Sequence, residues 1–375
     1  MKVICDRSAL ADALGIVGGV VVARTPKPVF ACVKFEALSK EAGLTLTATD
    51  GEIGLSLGVA QVSVEEPGAA LVPADKLLQI VRTSTDPTLT IEMQEHAAHI
   101  RGADSHFTIY GYDPAEFPEL RSFDEAAVDC EIAAGTLQRM ISRTLFATAA
   151  ESSRYAINGV LFDRKGKSLR LVATDGRRLA LANDSVTPGK KSEEKRSCIV
   201  PSKALKLLGR LIDDPDAVVR LAIQDAAIIF SIGDGPDAAV LSSNLVEGAF
   251  PPFEDVIPKN HDKKITFATA TLSSAVQRAA LLTNEESKGV RMSFTSEHLT
   301  LSSRAPEMGE AQIEVALDEY KGEPIEIGFN PGFLVDALKV VDDMQVIVEL
   351  KDSSKPGVIK AGNEFTYVVM PVNLQ

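Results

Sequence analysis

The sequence predicts an α+β fold in which one unit is used three times, and three observations predict it. Leu44-Thr45-Leu46-Thr47-Ala48-Thr49-Asp50-Gly51 is echoed by Leu169-Arg170-Leu171-Val172-Ala173-Thr174-Asp175-Gly176, and a weaker copy, Leu299-Thr300-Leu301-Ser302-Ser303-Arg304, keeps the alternation without the Asp-Gly. A second phrase follows each copy at a similar interval: Pro73-Ala74-Asp75-Lys76-Leu77-Leu78, Pro201-Ser202-Lys203-Ala204-Leu205-Lys206 and Pro331-Gly332-Phe333-Leu334-Val335-Asp336. A strand followed at once by a helix opens every copy. The period of about 125 to 130 residues is too long for stacked solenoid repeats and matches a domain. For 375 residues the length prior is two or three domains, and the repeat selects three: 1–127, 128–259 and 260–375.

Taken in order, Lys2-Val3-Ile4-Cys5 reads as a strand before a helix over Ser8 to Gly18. Cys130-Glu131-Ile132 precedes a helix over Gly135 to Ala147, and Lys264-Ile265-Thr266-Phe267 one over Leu272 to Thr283. Ser8, Thr136 and Ser273 or Ser274 are the expected N-caps, because a side-chain oxygen there can accept an orphan backbone N–H. Short alternating strands follow, Val160–Asp163 and Leu299–Leu301 among them. The Asp-Gly pairs at 50–51 and 175–176 suit tight turns, since Gly accepts positive φ. The second helix of each copy starts at its Pro phrase. Leu89–Met93, Ala226–Ile232 and Val346–Leu350 supply closing strands, and the segment from Pro188 to Arg196 reads as a solvated loop. Each unit is therefore two helices against a mostly antiparallel sheet.

Hydrophobic residues make up 45% and charged residues 24%, an ordinary globular mix. No apolar run approaches the roughly 18 residues of a membrane span, and no signal-like segment follows Met1-Lys2, so the chain is expected to be cytoplasmic. Cys5, Cys32, Cys130 and Cys198 lie singly and read as reduced thiols. A net charge of −13 argues against a polyanionic partner, but its distribution reverses that reading. The six expected helices hold nine basic residues (Lys76, Arg82, Arg139, Arg143, Lys203, Lys206, Arg210, Arg278, Lys339) and three acidic ones (Asp12, Asp75, Asp336). Positive helices in a negative chain point the helices at a polyanion and the rest away from it.

Catalytic chemistry finds little footing. His96-Ala97-Ala98-His99 with His106 resembles a metal cluster, but residues three apart on a strand face opposite ways, so His96 and His99 should not converge. Asp50 and Asp175 are explained by turn chemistry. A phosphate-binding Gly-rich loop and a nucleophile elbow are both missing. The competing class is a hydrolase or transferase with a site at a domain junction, which would need a compact cluster of perturbed ionisable groups.

Longer phrases carry a resemblance. Val172-Ala173-Thr174-Asp175-Gly176-Arg177-Arg178-Leu179-Ala180, Phe250-Pro251 through Val256-Ile257-Pro258-Lys259-Asn260, Glu326-Ile327-Gly328-Phe329-Asn330 and Tyr367-Val368-Val369-Met370-Pro371 are spread over all three copies. Arg154-Tyr155-Ala156-Ile157-Asn158-Gly159 and Arg278 through Arg291 add to them. Together they resemble the bacterial DNA sliding clamps, the β subunits of DNA polymerase III holoenzyme. The resemblance implies a non-catalytic processivity factor without cofactor or metal. It implies a head-to-tail homodimeric ring of six similar domains, with helices lining the hole and sheets outside.

Such a ring binds double-stranded DNA without sequence specificity. Non-specific phosphate contacts alone give dissociation constants of roughly 10⁻⁴ to 10⁻⁶ M, whereas a closed ring stays on by topology and its contacts can be loose. Arg24, Arg82, Tyr155, Lys203 and Arg210 are the implied DNA contacts. The implied docking cleft for polymerase, clamp loader and other clamp-motif proteins comprises Ile157, Thr174, Gly176, Arg177, Arg178, Leu179, Pro251, Val256, Val368, Met370, Pro371 and Val372. Phe107 and Ile109 on a strand, with Leu281 and Leu282 at a helix end, are the implied dimer interface, and the implied location is the nucleoid-associated cytoplasm. The chain departs from the family pattern at Arg177, where His is usual, and in the tail Val372-Asn373-Leu374-Gln375. It departs also at Asp75, where a basic residue is common, and at Glu151, where a neutral amide is.

Overall fold

The computed structural model describes residues 1–39, 43–150, 156–189, 195–233, 238–283, 289–317, 320 and 322–373, apart from the side chain of Ala126. The first repeat runs β1 (Lys2–Asp6), α1 (Arg7–Val17), β2 (Cys32–Ala37), β3 (Leu44–Thr49), β4 (Ile53–Val59) and β5 (Val62–Glu66). It continues with β6 (Gly68–Pro73), α2 (Ala74–Thr83), β7 (Thr88–Gln94), β8 (Ala97–Arg101) and β9 (His106–Tyr110). The second holds β10 (Cys130–Ala133), α3 (Ala134–Leu145), β11 (Gly159–Lys165), β12 (Ser168–Thr174), β13 (Arg178–Ser185) and β14 (Thr187–Pro188). Then come β15 (Arg196–Pro201), α4 (Ser202–Leu211), β16 (Val218–Ile223), β17 (Ala227–Ile232) and β18 (Ala239–Asn244). The third comprises β19 (Lys263–Ala268), α5 (Thr269–Ala280), β20 (Val290–Phe294), β21 (His298–Ala305) and β22 (Gly309–Ala316). It ends with β23 (Ile325–Phe329), α6 (Pro331–Lys339), β24 (Gln345–Leu350), β25 (Gly357–Ala361) and β26 (Phe365–Val369).

Every named strand pairing is antiparallel, and the strands form four sheets. Their orders are β5-β1-β7-β8-β9, then β14-β10-β16-β17-β18-β4-β3-β2-β6, then β15-β11-β12-β13-β26-β25-β24-β19, and β22-β21-β20-β23. Each repeat thus divides its strands between two sheets, and the two large sheets are where consecutive repeats join, at β18·β4 and at β13·β26. The chain packs as two compact units. One is Met1–Gln138 with Val186–Glu194 and Lys203–Leu245; the other is Arg139–Ser185 with Lys195–Ser202 and Val246–Gln375. The middle repeat contributes to both because its two half-sheets pair with different neighbours.

The helices are amphipathic for the reason the phrases announced. In α4 the spacing of Ala204, Leu205, Leu207, Leu208 and Leu211 buries one face, while Lys203, Lys206 and Arg210 stay exposed on the other. Helix α2 does the same with Ala74, Leu77 and Val81 inward and Arg82 exposed.

The expected caps do not form, and the reason repeats three times. Helices α1, α3 and α5 start directly off a strand with no intervening loop, one residue before Ser8, two before Thr136 and four or five before Ser273 or Ser274. Their first N–H is instead taken by a backbone carbonyl just before a neighbouring strand: Arg7 by Pro87 (2.9 Å), Ala134 by Ala217 (2.8 Å) and Thr269 by Met344 (2.9 Å). Tertiary contact thus satisfies the orphan donor that a capping side chain would otherwise serve. Only α1 has a side-chain cap as well, Asp6 accepting from Ala9.

Candidate functional site

The Thr-Asp-Gly turns are built alike to the atom. Thr49 Oγ1 accepts from Gly51 N (3.0 Å) and donates to Ile53 O (2.8 Å); Thr174 Oγ1 accepts from Gly176 N (3.1 Å) and donates to Arg178 O (2.6 Å). The Asp50 carboxylate accepts from the amides of Glu52 and Ile53, as that of Asp175 does from Arg177 and Arg178. Gly51 and Gly176 take φ of 92° and 86°, where a side chain would be strained. Each turn then reaches a helix of the next repeat. Asp50 holds Lys203 of α4 at 2.5 Å. Burial disfavours the Asp50 charge, but the Lys203 ammonium and the two amides outweigh it and hold this carboxyl below its ordinary range. At the second turn Arg178 is the hub: its Nε donates to Asp175 (3.0 Å), Nη1 to Asp336 of α6 (2.7 Å) and Nη2 to the Phe146 carbonyl (2.9 Å). Its guanidinium lies over the rings of Phe333 (4.4 Å) and Phe146 (5.4 Å).

Beside this hub lies an apolar floor. Ala156, Leu161, Val172, Leu179, Leu181, Ile199, Phe253, Val358 and Val368 form one buried cluster, with Val246, Phe250 and Ile257 packed against it. Ile157 and Thr174 are buried as well. The rim is open: Gly176 and Arg177 are exposed, Val256 is 45% and Met370 41% exposed, and Pro251, Pro371 and Val372 are half-buried. Two backbone bonds fix the tail along this rim, Met370 N to Arg177 O and Val372 N to Gly328 O, both 2.9 Å. An open cleft continues past it, lined by Glu326, Gly328, Ser353, Ser354, Pro371 and Asn373. Of the twelve residues expected at a cleft, Ile157, Thr174, Leu179 and Val368 are buried, Arg178 is the hub, the others are exposed or half-buried, and Pro371 and Val372 line this open cleft.

The expected DNA contacts are scattered over unlike environments. Arg24 and Arg82 are exposed, Lys203 is held by Asp50, and Arg210 Nη2 donates to Gly15 O (2.8 Å). Tyr155 lies outside the described residues, as does Glu151. Two further helix cations are committed to protein partners: Arg143 is buried on Asp343 (2.7 Å), and Arg139 pairs with Asp184 (3.2 Å). The helix charge count therefore overstated what is free for a polyanion. It also passed over a symmetry, because Arg82, Arg210 and Lys339 all stand in the last turn at the same distance from the start of their helices, and all are exposed.

The interface candidates sit beside strand edges. Phe107 (39% exposed) and Ile109 lie on one face of β9, the last strand of its sheet. Leu281 is 73% exposed, and Leu282 reaches to 3.9 Å from where a Cβ on Gly309 would stand, at the start of the edge strand β22. His96 falls in the β7–β8 turn and not on a strand with His99, so the alternation argument does not apply to it. His106, however, does approach His99, with Nδ1 of His99 and Nε2 of His106 3.2 Å apart.

A thrice-repeated α+β unit, its repeats joined strand to strand at β18·β4 and β13·β26, defines a three-domain clamp fold. Residues 1–121, 131–252 and 254–373 match the N-terminal, central and C-terminal domains of the DNA polymerase III beta subunit. The chain is 34% identical over 372 residues to the beta sliding clamp of Pseudomonas putida (98% of this chain, 99% of the relative). To that of Escherichia coli it is 33% identical over 377 residues, covering both chains fully. Its structure is similar to the Pseudomonas aeruginosa DNA polymerase III subunit beta (TM-score 0.89, 33% identity) and to the Bacillus subtilis DNA polymerase sliding clamp (TM-score 0.92, 26% identity), with full coverage on both sides. The chain belongs to the DNA polymerase III beta subunit family, the beta sliding clamps, and is a non-catalytic processivity subunit of DNA replication. Among the described residues no helix is long and apolar enough to cross a membrane.

Proposed function

We propose that two copies close head to tail into a ring around duplex DNA, with domains at 1–127, 128–259 and 260–375, and that partners dock by short peptides in the cleft. The observation that carries the ring is an unmet equivalence between strands. Register aligns Phe107 with Leu241 and Tyr367, because Ile91↔Ile100↔Phe107, Leu221↔Phe230↔Leu241 and Val348↔Ile359↔Tyr367 are the same ladder. Leu241 pairs across the repeat junction with Leu55, and Tyr367 with Ala180. The third copy of that acceptor position is Ala311 of β22. Among the described residues β9 and β22 lack the cross-repeat partner that β18·β4 and β26·β13 have.

Pairing β9 of one copy with β22 of another would remove both edges. It would set Phe107 opposite Ala311 and Ile109 opposite Gly309 of the partner subunit. The missing Cβ of Gly309 and the neighbouring Leu281 and Leu282 leave an apolar seat for both side chains.

Arg24, Arg82, Tyr155, Lys203 and Arg210 are the proposed phosphate contacts, with Lys339 added by its equivalence to Arg82 and Arg210. Lys203 would exchange Asp50 for phosphate, which suits a transient contact. Last-turn cations also complement the helix dipole, so these residues serve the fold whether or not DNA is present. In the cleft, Leu179, Val368, Ile157 and Thr174 form the floor, and Met370, Val256, Pro251, Pro371, Val372, Gly176 and Arg177 line the rim. Arg178 holds the wall in place from behind. A Met at the rim repacks around different side chains, which suits a replicative polymerase, a clamp loader and repair proteins using one site in turn in the nucleoid-associated cytoplasm.

The test is retention on DNA. The protein is loaded on nicked circular duplex with a clamp loader, and the circle is then cut once. Stable residence before the cut and release after it is the expected result; equal retention on circular and linear DNA would reduce the ring to ordinary affinity binding.

A further inference from the structure

On the solvent face of the first sheet, β8 and β9 bring two imidazoles together. His99 Nδ1 and His106 Nε2 are 3.2 Å apart, their ring centroids lie 5.4 Å apart, and Thr108 Oγ1 is 3.2 Å from the same His99 nitrogen. Two ring nitrogens face each other so closely only with a proton or a cation between them. Zn–N bonds of 2.0–2.1 Å at a tetrahedral angle put two ligand nitrogens about 3.3 Å apart, so the pair is already spaced for a metal. Among the described residues the chain supplies no third His, Cys, Asp or Glu to the group. The ring reading does. By the register above, Glu310 of the partner subunit lands directly opposite Thr108 and on the same face as both histidines, because Thr108 is the ladder equivalent of Ser242 and Val368, whose partners are Gly54 and Leu179.

We propose that the subunit seam carries a divalent transition-metal site of the zinc class, formed by His99 and His106 of one copy and Glu310 of the partner subunit. The proposal rests on the ring reading and extends it. Imidazole nitrogens select zinc-class ions over Mg²⁺ or Ca²⁺, and one carboxylate with a water completes four-coordination. Binding needs both facing nitrogens as lone pairs, so each neutral ring carries its single N–H on the nitrogen turned away from the metal. The surroundings are charged. Arg101, opposite His106, is tied to Glu92 (3.3 Å), and Glu92, opposite His99, adds negative charge; Glu310 is held by Arg304 (3.3 Å) until the metal takes it. The site is complete only in the closed ring, so metal and closure favour one another by linkage.

The experiment measures the dimer dissociation constant of the full-length protein at pH 7.5 in EDTA and in micromolar ZnCl₂, and the visible absorption of Co²⁺ as a geometry probe. Zinc should tighten the dimer at least tenfold, and His106→Ala or Glu310→Gln should remove that response. Co²⁺ should show tetrahedral absorption with the dimer but not with a Leu281→Asp/Leu282→Asp monomer. An unchanged constant in zinc, or tightening that survives His106→Ala, overturns the site. Failure of the ring reading looks different, since the Leu281→Asp/Leu282→Asp protein would then remain as dimeric in EDTA as the parent.

Discussion

Arg178 uses every edge of its guanidinium inside the protein, on Asp175, Asp336 and the Phe146 carbonyl, with Phe333 and Phe146 against its faces. A planar five-donor group is needed for that arrangement, so Lys is a poor replacement. Arg178→Ala should cost about 2 to 3 kcal/mol, read as a lower urea midpoint, because it removes the donor to Asp336 and the Phe146 carbonyl and leaves Asp175 with its turn amides alone; Arg178→Lys should recover less than half. Asp50 makes a smaller contribution with a pH signature. Its folded carboxyl lies below the ordinary 3.8, so the stabilisation is present above that pH and disappears as pH falls through the lowered value. Asp50→Asn should therefore cost up to about 1 kcal/mol near neutrality, given how exposed Lys203 is, and progressively less as pH falls through the lowered value. Parallel pH titrations of unfolding would show the two curves converge on the acid side. The thiols make a third residue-scale test. Burial pushes Cys5 up to about 12 and Cys32 up to about 11, so neither should react with a thiolate-selective reagent until the chain unfolds.

At the scale of elements, the turns and the last strand bear on the cleft most directly. Gly176 sits at φ of 86° with nothing within 4 Å of a built Cβ, so Gly176→Ala meets backbone strain alone. The expected loss is about 1 kcal/mol with the fold kept, checked by thermal melting. Strand β26 limits how the cleft can be dissected. Val368 and Val369 are buried and pair with both β13 and β25, so truncation from Val368 cuts the centre of an eight-stranded sheet. Truncation from Pro371 spares the ladder, and it should abolish clamp-motif peptide binding by fluorescence anisotropy while the melting transition is retained.

For the whole molecule, the proposed ring would pair an edge strand of the first repeat with an edge strand of the last by the same ladder that twice joins repeats within the chain. Leu281→Asp with Leu282→Asp should give a folded monomer by sedimentation and lose retention on circular DNA. A dimer that survives the double change would place the interface elsewhere. Loose phosphate contacts also predict that retention of the closed ring falls little with salt, whereas any linear-DNA affinity falls steeply.

Sequence by itself determined the triplication, the order of strands and helices in each copy and the Asp-Gly turns, because all of these are written in local periodicity and turn chemistry repeated in register. Tertiary structure decided what periodicity cannot express. The helix starts went to Arg7, Ala134 and Thr269 because a carbonyl from a neighbouring segment replaced the expected cap. Arg143 and Arg139 left the pool of free cations because Asp343 and Asp184 stand beside them, from distant parts of the chain. His99 and His106 met because a hairpin folds one onto the other, while His96, nearer in sequence, falls in the turn before β8. Local pattern fixes which face a side chain takes; only the packed chain fixes what it meets there.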